Sequence, residues 1–303
     1  MKKLSLFAVS LCFAVAHSYG QQGEWTDFKT TWEYDLTKKT AGQDSIGGDN
    51  LSFVSAAGSE TFLPSPSSGS AVISSTKGNP SFIHKSGSNA SLKIRGANQD
   101  GSPTKFAIFG IKEATPVAAI SFTILPNHQA KRSDWYFVLG KDALLFKDAK
   151  TILPISRTGS SPNSAIFASF RIQSNETFGS NSSDKYRFQN RQQPELEDDI
   201  TWGNSNTNLF IRGKKYEIEI YANNTLAEKT YTLNGTEYKL PRRTYHLWID
   251  GKKFGGDFQA NAVRRNQPID SFLVMSRDAV EGSMGSVNAS TLEISDIKIK
   301  YGN

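Results

Sequence analysis

About ninety residues at the end of the chain constrain its fold more than any other stretch. From Lys214 to Tyr301 every apolar run is short, repeats with a period of two and is bounded by turn residues. Tyr216, Ile218 and Ile220 alternate with Glu217, Glu219 and Tyr221, which predicts a strand with one apolar and one polar face. Asn234-Gly235 and Asp250-Gly251 each separate two such runs, and both dipeptides tolerate the positive φ of a tight hairpin turn. This is the pattern of an antiparallel sheet with one wet face. Near the end, Leu292 and Ile294 keep one phase, while Ile297, Ile299 and Tyr301 keep the period one residue out of step. That slip predicts a β-bulge near Ser295-Asp296.

Upstream, β-branched and aromatic runs recur at Leu51–Val54, Ala71–Ser74, Ser91–Arg95, Lys105–Phe109, Val117–Ile124, Asp134–Leu139 and Ala165–Ile172. That density predicts an all-β protein, an antiparallel β-sandwich. The single helix-like stretch, Asp142–Ile152, is too short to anchor a helical layer. The stretch 174–207 reads as a long polar insertion with one strand, Lys185–Gln189, between loops. No repeat of fixed period and no dividing linker is visible. The economical organisation is an N-terminal segment at 21–49 followed by one sandwich domain over 50–303.

Residues 1–20 read as an export signal. Lys2 and Lys3 precede an apolar run of thirteen residues, Leu4 to Ala16, and Ser18 and Gly20 supply the small side chains of a cleavage site before Gln21. The run is short of the roughly twenty apolar residues needed to span a bilayer, and no later stretch approaches that length, so membrane insertion is not expected. The one cysteine, Cys12, lies inside the signal. The remaining chain of about 283 residues can form no disulfide, so a large core must hold it together. A basic start and a cysteine-free body read as a secreted bacterial protein. Without Lys2 and Lys3, 33 Lys and Arg stand against 29 Asp and Glu, a net charge of +4. The basic residues fall in scattered pairs such as Lys214-Lys215 and Arg242-Arg243, with no block of five or six. A nucleic-acid partner is not expected.

The phrase YHLWIDGKKFGG, the terminal LEISDIKIKY preceded by SFLVMSRD, and DWYFVLGKDALLF followed by AIFASFRI resemble the concanavalin A-like lectin and glucanase jelly roll, with its laminin-G-like relatives. The resemblance covers about residues 50–301 and implies two curved antiparallel sheets with a concave face that binds or cleaves glycans. It does not carry a catalytic motif across. The laminarinase pattern Glu-x-Asp-x-x-Glu has its nearest match at Glu217-Ile218-Glu219-Ile220-Tyr221-Ala222, where Ala222 replaces the last carboxylate and a solvent-facing acidic pair remains. The alginate-lyase signatures Gln-Ile-His and Tyr-Phe-Lys-Ala-Gly are missing; Tyr136-Phe137 continues as Val138-Leu139-Gly140.

The reading that follows is a secreted, lectin-like protein that binds an extracellular polysaccharide. The alternative is a polysaccharide lyase or glycoside hydrolase of the same fold with a non-standard site. Trp248, Trp135, Tyr136 and Trp202, with Arg171, are the candidate sugar-binding residues, because sugar rings stack on aromatic faces while their hydroxyls take polar partners. Trp248 alternates with Leu247 and Ile249, so it faces away from the core if those two face it. For the alternative, Tyr245, His246 and Arg243 are the candidate catalytic residues. Tyr245 and His246 are adjacent on a strand and face opposite sides, so one of them at most can line a site. Glu195, Glu197, Asp198 and Asp199 form an acidic knot whose oxygens could hold a structural Ca²⁺.

Overall fold

The structure is a computed structural model. It describes residues 23–40, 42–97, 99, 101–127, 134–151, 153, 164–174, 185–193, 200–277 and 290–303. The predicted signal at 1–20 lies outside them.

The strands, numbered in chain order, form three antiparallel sheets. The first has eight strands in the order β13 (Thr201–Ile211), β12 (Lys185–Gln192), β11 (Ile166–Ser174), β10 (Asp134–Gly140), β19 (Ser271–Arg277), β8 (Pro103–Phe109), β5 (Ser70–Ser75) and β4 (Ser52–Ala56). The second has the order β18 (Lys252–Gln259), β17 (Thr244–Ile249), β14 (Tyr216–Asn223), β9 (Val117–Asn127), β20 (Thr291–Gly302), β7 (Ser91–Arg95), β6 (Ser81–Lys85) and β3 (Ser45–Gly47), with β2 (Phe28–Glu33) also paired to β20. A small third sheet joins β1 (Glu24–Trp25), β15 (Lys229–Leu233) and β16 (Thr236–Leu240). Asp142–Ile152 contributes one helical turn, α1 (Leu144–Lys147).

The two large sheets pack face to face as the predicted antiparallel sandwich. Alternation decides which residues fill it. On β10, Trp135, Phe137 and Leu139 point between the sheets; on β14, Tyr216, Ile218 and Ile220 do the same. Ring stacking runs through this layer, from Phe122 to Phe137 at 5.6 Å, Phe137 to Phe170 at 4.8 Å and Phe170 to Phe188 at 5.5 Å. Each such buried side chain contributes roughly 1.5–3 kcal/mol, which is how a body without disulfides holds together.

Both predicted hairpin turns are present. Asn234 and Gly235 have φ of 51° and 76°, and Asp250 and Gly251 have 49° and 69°. The predicted bulge is present too: β20 shifts register against β9 between Ser295 and Lys298, with Asp296 at φ 55°.

Three expectations change. The face of β14 that carries Glu217, Glu219 and Tyr221 is wet only in part, because the small sheet covers it. Trp25, Tyr221, Tyr231, Leu233, Leu240 and Trp248 form a second apolar layer there. Glu219 is consequently 8 % exposed and accepts a 2.6 Å hydrogen bond from the Tyr221 hydroxyl. The stretch 174–207 holds β12, longer than expected, and the start of β13, both paired into the eight-stranded sheet. The segment 21–49 supplies β1, β2 and β3, one or more to each of two sheets.

Candidate binding site

The eight-stranded sheet presents its outer face at β10, β11, β12 and β13. Tyr136 stands opposite Arg171, and Arg171 opposite Gln189. Asp134 stands opposite Gln173, and Gln173 opposite Arg187. The two rows lie two residues apart along each strand, so their side chains share the face.

They are joined by hydrogen bonds. The Tyr136 hydroxyl donates to Asp134 Oδ2 at 2.9 Å. Arg171 Nη1 donates to the same oxygen at 3.3 Å, and Nε and Nη2 of Arg171 donate to Gln189 Oε1 at 3.1 and 2.7 Å. Arg187 donates to Gln173 Oε1, and Gln173 hydrogen-bonds Asp134. The Asp134–Arg171 pair keeps 12 % and 13 % of its side-chain surface in contact with solvent. Trp202 of β13 leans over this network. Its ring centre is 4.4 Å from the Arg171 guanidinium and 5.7 Å from the Tyr136 ring. A guanidinium on an indole face is a favourable cation–π contact.

Burial raises the Asp134 carboxyl above its ordinary range, and the Arg171 cation opposes that shift. Burial also raises the Tyr136 phenol, so this hydroxyl stays protonated at neutral pH and acts as a donor. The site therefore offers an aromatic plane, a cation held in a fixed orientation and several amide and carboxyl groups.

Three of the five aromatic and cationic candidates meet here: Tyr136, Arg171 and Trp202. Trp135 does not. It is adjacent to Tyr136 on β10, so it faces the opposite way, into the sandwich. Tyr136 is equally buried, at 0 % exposed, and serves the outer face by backing Arg171 and Trp202 rather than by offering its own surface. Trp248 does face away from Leu247 and Ile249, as alternation requires, but the small sheet covers it. It is 5 % exposed, packs edge-on against Tyr238 at 4.9 Å and donates to the Tyr231 hydroxyl at 3.0 Å. The residues of the site that sequence reasoning missed are Asp134, Gln173, Arg187 and Gln189. Their alternation with core residues on β10 to β12 was the available signal.

The catalytic candidates are structural in this fold. Tyr245 is wholly buried between the sheets against Phe167 and Phe258. His246, on the other face, is 1 % exposed, with Nδ1 2.7 Å from the Tyr231 hydroxyl and Nε2 2.6 Å from Asp257 Oδ1. Arg243 has φ 58° and ties a loop together, donating to the carbonyls of Val263 and Asn261 at 2.7 and 2.8 Å. No two of the three line a common opening. The acidic knot of Glu195, Glu197, Asp198 and Asp199 lies outside the described residues. Among those described, no group of three His, Cys, Asp or Glu residues is arranged to hold a metal ion, and no helix is long and apolar enough to cross a membrane.

No protein-family model matches the chain, and no curated protein matches its sequence. Solved structures do resemble it. One is a sialidase, 11 % identical with a TM-score of 0.38, where the match covers 72 % of this chain and only 16 % of that one. Another is an alginate lyase from a Chlorella virus, 13 % identical with a TM-score of 0.38, covering 73 % of this chain and 88 % of that one. A third is a Bacillus subtilis protein of unknown function with a galectin-like fold, 8 % identical with a TM-score of 0.41, covering 93 % and 100 %.

Proposed function

We propose that this chain is an exported glycan-binding protein and that the outer face of the eight-stranded sheet at Tyr136, Arg171 and Trp202 is its binding site. The observation that carries this reading is the contact of Arg171 and Tyr136 with the half-buried Trp202 ring above a hydrogen-bonded row of Asp134, Gln173 and Gln189. Such an arrangement gives a sugar both an apolar face to lie on and fixed polar partners for its hydroxyls. The net charge is small and scattered, so no broad electrostatic field draws a polymer to this face.

Titration calorimetry against a panel of neutral and acidic polysaccharides tests the reading. Binding should be lost in Trp202→Ala, with a melting temperature within a few degrees of the parent, and in Arg171→Ala, which should also melt lower because the buried Asp134 carboxyl loses its cation. Binding that survives both changes, or no binding to any member of the panel, overturns the assignment of this face. Products appearing during the same incubations would replace binding by cleavage. That outcome is the lyase or hydrolase reading.

A further inference from the structure

Arg191 is a fully buried cation with no anion against it among the described residues. Its side chain is 0 % exposed. Nη1 donates to Asn261 Oδ1 at 3.1 Å, while Nε and Nη2 donate to nothing. A buried charge left without a counter-ion is costly, and folds keep such groups where a ligand supplies the missing partner or where they are otherwise compensated. Desolvation lowers the guanidinium to about 10, which leaves it charged at neutral pH.

The position of Arg191 says which ligand. It stands directly opposite Trp202 on β13. On its other side β11 and β12 pair as far as Phe170 with Asn190, so one further step sets Ser169 beside Arg191. Ser169 is opposite Val138, and Arg171 is opposite Tyr136, all on the outer face. Ser169 Oγ is itself buried without a hydrogen-bond partner. Extending the register by that step, two side chains of the outer face hold unused hydrogen-bonding capacity in the row next to Arg171 and Tyr136.

The unused edge has a particular shape. Nε–H and Nη2–H of a guanidinium lie on one side of its plane and point the same way. That fork matches the two oxygens of a carboxylate. In Arg171 the same fork is already spent on Gln189 Oε1. In Arg191 it is vacant. We infer that Arg191, with Ser169, is the carboxylate-binding element of the glycan site, and that the glycan is a polymer containing uronic acid. The inference rests on this face being the glycan site. Arg191 has no exposed surface, so the carboxylate enters only as a neighbour shifts. Trp202, directly opposite on the edge strand β13, is the side chain placed to do so.

The test compares three probes on the whole mature protein by calorimetry: tetragalacturonate, its neutral methyl ester and a sulfated tetrasaccharide with a neutral backbone. Tetragalacturonate should bind at least tenfold tighter than either of the others. Arg191→Met should lower affinity for tetragalacturonate at least tenfold, remove the preference for the acid over its methyl ester, and melt at or above the parent temperature because it removes an uncompensated charge. Arg191→Lys keeps the charge without the fork and should lose most of the preference, so the inference stays testable if the methionine variant does not fold. Equal affinity for acid and ester, or an unchanged Arg191→Met, overturns the inference while leaving the face as a glycan site wherever Trp202→Ala still abolishes binding. Equal binding of the sulfated probe overturns the assignment to carboxylate. Binding of none of the three overturns this inference, while the glycan reading itself stands or falls on the wider polysaccharide panel.

Discussion

The Tyr231 hydroxyl and His246 Nδ1 are 2.7 Å apart, at the centre of a connected chain of polar groups. Trp248 Nε1 can only donate, and it donates to the Tyr231 oxygen at 3.0 Å. On the other side of the imidazole, Nε2 lies 2.6 Å from Asp257 Oδ1 and 3.0 Å from Lys253 Nζ. A buried tryptophan is thus connected to a surface ion pair through Tyr231 and His246.

This chain makes acid sensitivity a predictable property. Burial lowers the His246 pKa below its ordinary value of 6.5, and nearby Lys253 lowers it further, against the raising effect of Asp257. Below about pH 6.5 the unfolded chain takes up a proton that the folded chain refuses, so stability falls as pH falls through that window. Thermal melts from about pH 7.5 to 5 should show the decline. His246→Gln should flatten it, and an equally steep decline in that variant would clear His246 of the effect.

Trp248 and Trp202 should respond oppositely to truncation. Trp248 fills the layer under the small sheet, so Trp248→Ala should cost about 3–5 kcal/mol in urea unfolding. It should leave the affinity of the protein that remains folded unchanged. Trp202→Ala should cost much less in stability and remove ligand binding. A Trp248→Ala protein with parental stability would show that the small sheet does not cover that residue in solution.

Gly251 sits at φ 69° with open space where a Cβ would be. Gly251→Val should therefore destabilise by roughly 1–3 kcal/mol through backbone strain alone. Gly140 gives the contrast. A Cβ there would meet the Ala165 carbonyl oxygen at 1.9 Å, with no unusual φ involved. Gly140→Ala should cost more than Gly251→Ala, and chemical denaturation of the pair measures the difference.

Lys105 provides a separate check on the outer face. Its buried ammonium donates to the carbonyls of Leu145 and Asp148 at 3.2 and 2.7 Å, and to that of Thr151, closing the turn that holds α1. Lys105→Met orphans three acceptors, each worth about 1–3 kcal/mol when buried. Hydrogen exchange of amides in 144–151 should rise at least tenfold in the variant. Unchanged protection would mean that the turn holds without the lysine.

Local chemistry made the turns, the bulge and most strands legible, because positive-φ dipeptides and period-two runs report their own geometry. Tyr136, Arg171 and Trp202 were legible as types. Trp135 was misread because adjacent residues on a strand cannot share a face, and nothing local says which of the two faces out. The covering of Glu219 and Trp248 was not legible at all. Trp25, which helps to cover them, lies about two hundred residues away from both in sequence. Arg191 reads in sequence as one more solvated arginine; only the register of β11, β12 and β13 shows its position.

The central place of β20 governs how the molecule can come into being. Residues 291–302 pair with β9 along one side and with β7 and β2 along the other, joining segments at 28–33, 91–95 and 117–127. Until those twelve residues have been synthesised, the earlier strands have no common partner and their edges stay open. The second sheet therefore closes last, through contacts of great sequence separation. That predicts slow folding and a chain whose strand edges stay open until its last strand is in place.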